Sequence, residues 1–252
     1  MQLKPRIAVI TPYYKESLDF LTKCHQSVIG QKVNAIVDHF MIADGFPNSE
    51  VSGWKVKHVS LPNGHADNGN TPRGIGSVLA DAQGYDFVAY LDADNWFHPD
   101  HLASLLALHD ETNAPVCCSM RTFHQMDGSP LNISEPQEDS LLHVDTSCFM
   151  IHSSAFDILS IWYRMPKELG PICDRVFKLA FVNARHPIAY SKERTVAFRS
   201  QYRFHYELAG LPVGDDLKFN AELEKCYDYL LTQEGISKTS ERIGFWPLGQ
   251  GL

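Results

Sequence analysis

Through the first 110 residues, short apolar runs alternate with amphipathic stretches. Ile7-Ala-Val-Ile-Thr11 is apolar and β-rich, which predicts a buried parallel strand stopped at Pro12. Leu18, Leu21, Cys24 or His25, and Val28 then recur at helical spacing up to Gly30, which predicts an amphipathic helix. Strand-like runs follow at Ala35 to Ala43, Lys55 to Leu61 and Phe87-Val-Ala-Tyr-Leu91. Residues 62–74 carry Pro-Asn-Gly, Asn-Gly-Asn and Pro-Arg-Gly and are expected to form a loop, ahead of a small-residue helix from about Ile75 to Gln83. Pro99 is expected to open a helix bearing Leu102, Leu105, Leu106 and His109. Strands alternating with helices predict an α/β fold: a mostly parallel, Rossmann-like sheet with helices on both faces. Ligands of such sheets bind at the carboxyl ends of the strands.

The second half is less periodic. Pro115 to Gln125 and Val144 to His152 read as strands, and Ser153 to Leu159 and Ile172 to Ala184 as helices. Asp216 to Gln233 reads as one amphipathic helix with Leu217, Phe219, Leu223, Tyr227 and Leu230. Between the last two helices, Ser191 to Gly214 is rich in Arg, Tyr and His and lacks periodicity, so it is expected to be a functional loop.

Composition narrows the class. The 252 residues are 44% hydrophobic and 21% charged, ordinary for a globular chain. Against 30 Asp and Glu stand 22 Lys and Arg, a net charge of −8. That balance argues against a nucleic-acid or anionic-membrane partner. No run nears the roughly 20 apolar residues of a membrane span, and the apolar start is too short to predict a signal peptide. The six cysteines form no CxxC pair and read as reduced thiols, so a cytoplasmic protein is expected. The pattern specifies no oligomeric state.

The strongest chemical feature is Tyr90-Leu-Asp-Ala-Asp-Asn-Trp96. Asp92 and Asp94 stand where an apolar strand stops, and two like charges there are costly unless a cation binds. A hard divalent ion, Mn2+ or Mg2+, bridging to phosphate oxygens suits such ligands. The bland alternative is a turn rich in Asp and Asn. Thr11-Pro-Tyr-Tyr-Lys-Glu16, Asp44-Gly45 and Asn70-Thr-Pro-Arg-Gly74 would gather at the same sheet edge. There Tyr13 is suited to stack on a base, Asp44 to accept from a ring N–H or a ribose hydroxyl, and Arg73 to pair with a diphosphate.

These residues carry a resemblance. VITPYYKE, the strand ending IADG, NTPRGIGSVLADAQG and FVAYLDADNWFHPDHL, together roughly residues 5–110, resemble the family 2 glycosyltransferases, which have the GT-A fold. The resemblance implies a nucleotide-diphosphate sugar donor of the UDP or GDP type, a metal ion, and a carbohydrate or other hydroxyl acceptor. It implies nucleoside contacts at Tyr13, Glu16 and Asp44, with Thr11, Pro12 and Ala93 beside the donor. It further implies Arg73 near the diphosphate, Asp92 at the ribose or sugar and Asp94 at the metal. Ala43-Asp44-Gly45 departs from the family's usual Asp-Asp-x-Ser, and Pro72-Arg73-Gly74 from its commoner Asn-x-Gly spacing.

His143-Val-Asp-Thr-Ser-Cys148 resembles an acceptor-side strand, and Pro171-Ile-Cys-Asp-Arg-Val176 lies where the family usually has an acidic pair. Asp174 or Asp145 is the candidate general base. In Ser200-Gln-Tyr-Arg-Phe-His-Tyr206, His205 is a candidate third metal ligand, with Arg199 and Arg203 as candidate phosphate contacts. The expected organisation is one continuous domain, with residues 1–110 as the donor half and 111–252 as the acceptor half. The expected reaction is metal-dependent glycosyl transfer, with inversion. The rivals are a non-catalytic nucleotide-sugar-binding protein, a HAD-like phosphatase and a nucleotidyltransferase. The phosphatase needs its DxD on the first strand, and the nucleotidyltransferase a glycine-rich loop after strand one, which TPYYKES lacks.

Overall fold

A computed structural model describes residues 3–134, 141–214, 217–218 and 221–250. The first four strands are β1 (Arg6–Tyr13), β2 (Ile36–Ala43), β3 (Lys57–Ser60) and β4 (Phe87–Tyr90). They run parallel in the order β3-β2-β1-β4. The five later strands are β5 (Trp96–Phe97), β6 (Val116–His124), β7 (Pro130–Leu131), β8 (Phe149–His152) and β9 (Ile188–Arg199). β8 joins β4 antiparallel, and the sheet continues through β6, β9 and β5, with β7 paired to β6. One sheet therefore threads both halves of the chain.

Helices α1 (Leu18–Ile29) and α2 (Asn70–Ala82) cover opposite faces of it. On β1, Ile10 points at α2, where a Cβ on Gly76 would lie 2.6 Å from Ile10 Cγ2. The next residue, Thr11, points the other way, to Cys24 of α1 at 3.7 Å. Alternation along a strand accounts for both. Only a glycine lets α2 settle so close to β1.

Several boundaries differ from the sequence reading. β1 continues through Pro12 to Tyr13, because at that depth it pairs only with β2 and β4 has already ended. A proline that costs no hydrogen bond on the open side is tolerated. α2 starts at Asn70, inside the expected loop: Asp67 Oδ2 accepts from Thr71 N at 2.9 Å and Pro72 falls in the first turn, where no N–H is required. α3 (His101–Thr112) begins two residues past Pro99.

Val144 to His152 is not one strand. Asp145 caps a 3-10 turn at Thr146–Cys148, and only Phe149–His152 joins the sheet. After α4 (Ile161–Arg164) and α5 (Cys173–Asn183), the expected loop from Ser191 turns out to be most of β9, followed by α6 (Arg203–Leu208). Of the helix expected over Asp216 to Gln233, α7 (Ala221–Leu231) forms, and beyond it lies a helix that was not expected, α8 (Gln233–Ile243), which starts where the Thr232 hydroxyl accepts from Gly235 N at 2.9 Å. Asp216 and Phe219 of that reading lie outside the described residues.

Behind the end of β4, Tyr90, Trp162 of α4 and Phe177 of α5 pack in the core, Trp162 stacked on Phe177 at 4.1 Å. The Tyr90 hydroxyl also meets Ser77 Oγ at 2.9 Å. This rigid aromatic block fixes where the chain leaves the sheet. Among the described residues, no helix is long and apolar enough to cross a membrane.

Candidate active site

Past Tyr90 the chain makes a pinned turn. Asp92 N donates to Ser147 Oγ at 3.2 Å, Asn95 N donates to the Asp92 carbonyl at 3.0 Å, and Asn95 Oδ1 accepts from Arg199 N at 2.9 Å. Trp96 and Phe97 then pair with Ala197 and Val196 of β9. The two acids are thus held between β8's leading turn and the end of β9. Their environments differ. The Asp92 carboxylate meets Arg73 Nη2 at 2.5 Å. Arg73 is buried, donates to the Asn68 carbonyl at 2.8 Å and sits over the Trp162 ring. Asp94 is half-buried and takes one donor on its carboxylate, Gln201 Nε2 at 3.2 Å. Burial, and then the charges of Asp92 and Glu16, push its carboxyl up to about 7.

A cleft of about 590 Å3 opens beside Asp92 and Arg73 and reaches Arg121, His143, Asp145, Asp174, Tyr202 and His205. Asp145 is buried: Oδ2 takes Arg121 Nη1 at 2.6 Å and Oδ1 takes Ser147 N at 2.9 Å. Asp174 lies in the first turn of α5, with His143 Nε2 2.7 Å from Oδ2 and Arg175 N donating to Oδ1 at 2.7 Å. Burial works to raise the Asp174 carboxyl, but His143 and Arg175 outweigh it and hold it below the usual carboxylate range.

A second hollow of about 400 Å3, lined by Tyr14, Gly45, Phe46, Pro62, Asn63, Gly64 and Ala66, lies at the ends of β1 and β2. Gly45 has φ +82°, and a Cβ there would lie 2.3 Å from Gly64 N, so only glycine closes this wall. Asp44 beside it is buried and accepts from His65 N at 3.1 Å, with His65 Nδ1 2.5 Å from Oδ1.

Several expected roles are redistributed. Tyr13 is only 3% exposed, and its hydroxyl meets His58 Nε2 at 2.6 Å and accepts from Asn48 N at 3.0 Å, which closes its ring to a base. The exposed ring at this edge is Tyr14, edge-on to Phe46 at 4.6 Å. The Thr11 side chain points inward to His39 and Cys24. Pro12 packs where a Cβ on Gly69 would stand, and Ala93 is core. Glu16 accepts from Tyr14 N at 2.6 Å, bracing that turn.

Arg199 is buried between Phe20 and Trp96 and donates to the Asp94 carbonyl at 2.5 Å, so it supports the acids' backbone from behind. Arg203 pairs with Glu207 at 2.7 Å along α6. His205 Nδ1 is 2.7 Å from Ser200 Oγ, and its ring packs against Phe123. Among the described residues, no three His, Cys, Asp or Glu gather as a metal cluster. The helix formed at Arg203–Leu208 holds His205 on the cleft wall. Tyr14, Phe46, His65, Arg121, His143 and Tyr202 were not singled out as site residues from sequence. Their only signals there were proximity to the strand-end glycines and to the motifs around Asp145 and His205.

The sequence model of a family described as Glycosyl transferase family 2 matches residues 8–157, more than half of the chain. No curated protein sequence matches. Among solved structures, the chain is similar to TarS of S. aureus, at 17% identity over 81% of this chain and 38% of that one, with a TM-score of 0.60. It is also similar to TarS residues 1-349 in complex with UDP, at 15% identity over 94% of this chain and 70% of that one (TM-score 0.60). The same fragment in complex with UDP-GlcNAc gives 16% identity, 94% and 73% coverage, and a TM-score of 0.60. The chain thus spans well under half of the longer TarS structure, and these likenesses show a shared GT-A fold.

Proposed function

The chain belongs to the family 2 glycosyltransferases, and from that premise we propose that it transfers a sugar from a UDP-type donor to an acceptor hydroxyl, with inversion and with a divalent cation. The observation that carries the reading is the pair of acids at the end of β4. Arg73 neutralises one, and the other is left among anionic neighbours. The uridine nucleotide rests on the TarS structures, which hold UDP and UDP-GlcNAc.

The donor set fits a hard cation. Asp94 offers carboxylate oxygen, and Asp92 and Glu16 add negative charge around it. One or two carboxylates completed by substrate phosphates are a normal Mg2+ or Mn2+ arrangement. Bound there, the cation would offset the charge of the departing diphosphate.

The chain's own groups do the rest. Tyr14 and Phe46 give the base an apolar wall, and Asp44, oriented by His65, accepts from the nucleoside. Arg73 fixes Asp92 toward the ribose or sugar. Asp174 is the general base: it lines the cleft, stays ionised at neutral pH and is the more open of two acids that are each bonded at both oxygens, its side chain being 18% exposed beside His143, whereas that of Asp145 is 8% exposed and held in a buried pair with Arg121. In this reading residues 1–110 hold the donor and residues 111–252 supply the acceptor side.

A thermal-shift screen of UDP, GDP, CDP and ADP, with and without Mn2+, tests the reading. UDP with Mn2+ should stabilise the protein most, by about 2.7 kcal/mol at a hundred times Kd. Equal shifts from every nucleotide, or from none, would refute it.

A further inference from the structure

Tyr202 and Phe204, two residues apart at the start of α6, both line the large cleft and are 41% and 46% exposed. Large aromatic rings left open beside a concave site point to a ligand. The rest of Tyr202 is well held. Its N donates to Ser200 Oγ at 3.1 Å, and its backbone bridges Lys218. Its hydroxyl, by contrast, has no hydrogen-bond partner among the described residues. That hydroxyl lies in the charge field of the cleft: burial, and then Asp174, push it up to about 12.

Resting on the glycosyltransferase reading above, we propose that Tyr202 and Phe204 form the acceptor platform, and that the acceptor presents a pyranose ring. The apolar C–H face of the ring lies on the aromatic side chains. The Tyr202 hydroxyl bonds to a ring hydroxyl and so brings its neighbour toward Asp174. A pyranose has this double character, an apolar face with a polar rim, and Tyr offers an apolar ring with a polar tip to match it.

Other acceptor chemistries fit less well. A lipid chain needs an apolar cleft, and this one contains Arg73, Asp92, Arg121, Asp145 and Asp174. A strongly anionic acceptor needs an excess of cations, but Arg73 and Arg121 are each paired with a carboxylate, and the other two in the lining, Arg175 and Lys218, are matched by Asp174 and Glu222.

Saturation-transfer NMR tests the proposal. The probes are the methyl β-pyranosides of glucose, galactose and N-acetylglucosamine, with open-chain sorbitol as comparison, all in the presence of UDP and Mn2+. At least one pyranoside should show saturated ring C–H protons with the wild type. That signal should fall at least fivefold in Tyr202→Ala and Phe204→Ala. Tyr202→Phe and Phe204→Leu, the gentler changes, should keep the contact but weaken affinity about threefold to tenfold. The UDP thermal shift is read in parallel and reports the donor side separately. A UDP shift without any pyranoside signal overturns the platform alone, and the absence of a UDP shift overturns the donor reading. Sorbitol saturating as strongly as the pyranosides, or alanine variants that keep the signal, would also overturn the platform.

Discussion

Arg73 and Asp92 meet at 2.5 Å, with Arg73 only 4% exposed. This pairing divides two acids that look equivalent in sequence. Asp92 is neutralised by the protein itself, while the Asp94 carboxylate, two residues on, meets the Gln201 amide and keeps its proton up to about pH 7.

Removing Arg73 should therefore damage the fold as well as the site. Arg73→Met leaves Asp92 without its partner and removes the bonds to Asn68 and Asn70. The expected loss is about 3 kcal/mol by urea denaturation. A loss under about 1 kcal/mol would mean that the pair is dispensable.

The Asp94 carboxyl sets a pH dependence. Its folded value, about 7, lies above the ordinary value, so the fold holds a proton that the unfolded chain releases. Without metal, this group's contribution to stability should be present at acid pH and be lost as pH rises toward 7. Asp94→Asn should then be more stable than wild type at pH 8, by roughly 1–2 kcal/mol, and the difference should shrink at pH 5. A cation competes with that proton, so Mn2+ affinity of the wild type should fall below pH 7. Mn2+ affinity that is flat from pH 6 to 8 would contradict the assignment.

The two candidate bases should separate. Asp174→Asn should lower turnover by about 10²–10⁴-fold, the usual worth of a positioned base, while leaving the melting temperature within a few degrees. Asp145→Asn should act mainly on stability, because it breaks a buried contact with Arg121 and weakens the cap on Thr146–Cys148. The reverse pattern in steady-state rates and melting curves would exchange the two roles.

The adjacent tyrosines also part company. Tyr14→Ala should weaken UDP binding about tenfold, since its ring is the open one. Tyr13→Phe should leave UDP affinity near wild type and cost about 1 kcal/mol of stability, through lost bonds to His58 and Asn48. Calorimetric titration of UDP distinguishes them.

How much of this was legible in the sequence depended on whether the signal was local. The strands before the site, and the acids at the end of β4, were legible because a buried parallel strand is a bare apolar run and its end is abrupt. β9 was not: Lys192 takes a left-handed φ of 58°, Lys192 and Glu193 are exposed, and the buried residues, Thr195, Val196, Ala197 and Arg199, include only two apolar ones. Its register against β6 also shifts near Met120. The last helix, α8, was not legible although its Thr232 cap stands in the sequence as Thr-Gln-Glu-Gly, because Ile236 and Ile243 are its only aliphatic residues and trace no stripe. Tyr13 and Tyr14 are adjacent, and nothing in an unaligned sequence tells which ring turns inward. The pairings of Arg121 with Asp145 and His143 with Asp174 join residues on separate elements, and spacing alone carries no trace of them.

If the Asp92–Asp94 edge works on a nucleotide sugar with a cation, UDP must leave the donor in a cation-dependent way. Release of UDP from UDP-sugars is the measurement that tests it most directly, with wild type and Asp94→Asn, with Mn2+ and after chelation. Wild type should release UDP in an Mn2+-dependent way, and that release should fall at least a hundredfold in Asp94→Asn while the variant keeps its melting temperature at pH 8 or raises it. Release that continues undiminished after chelation, or in Asp94→Asn, would contradict it.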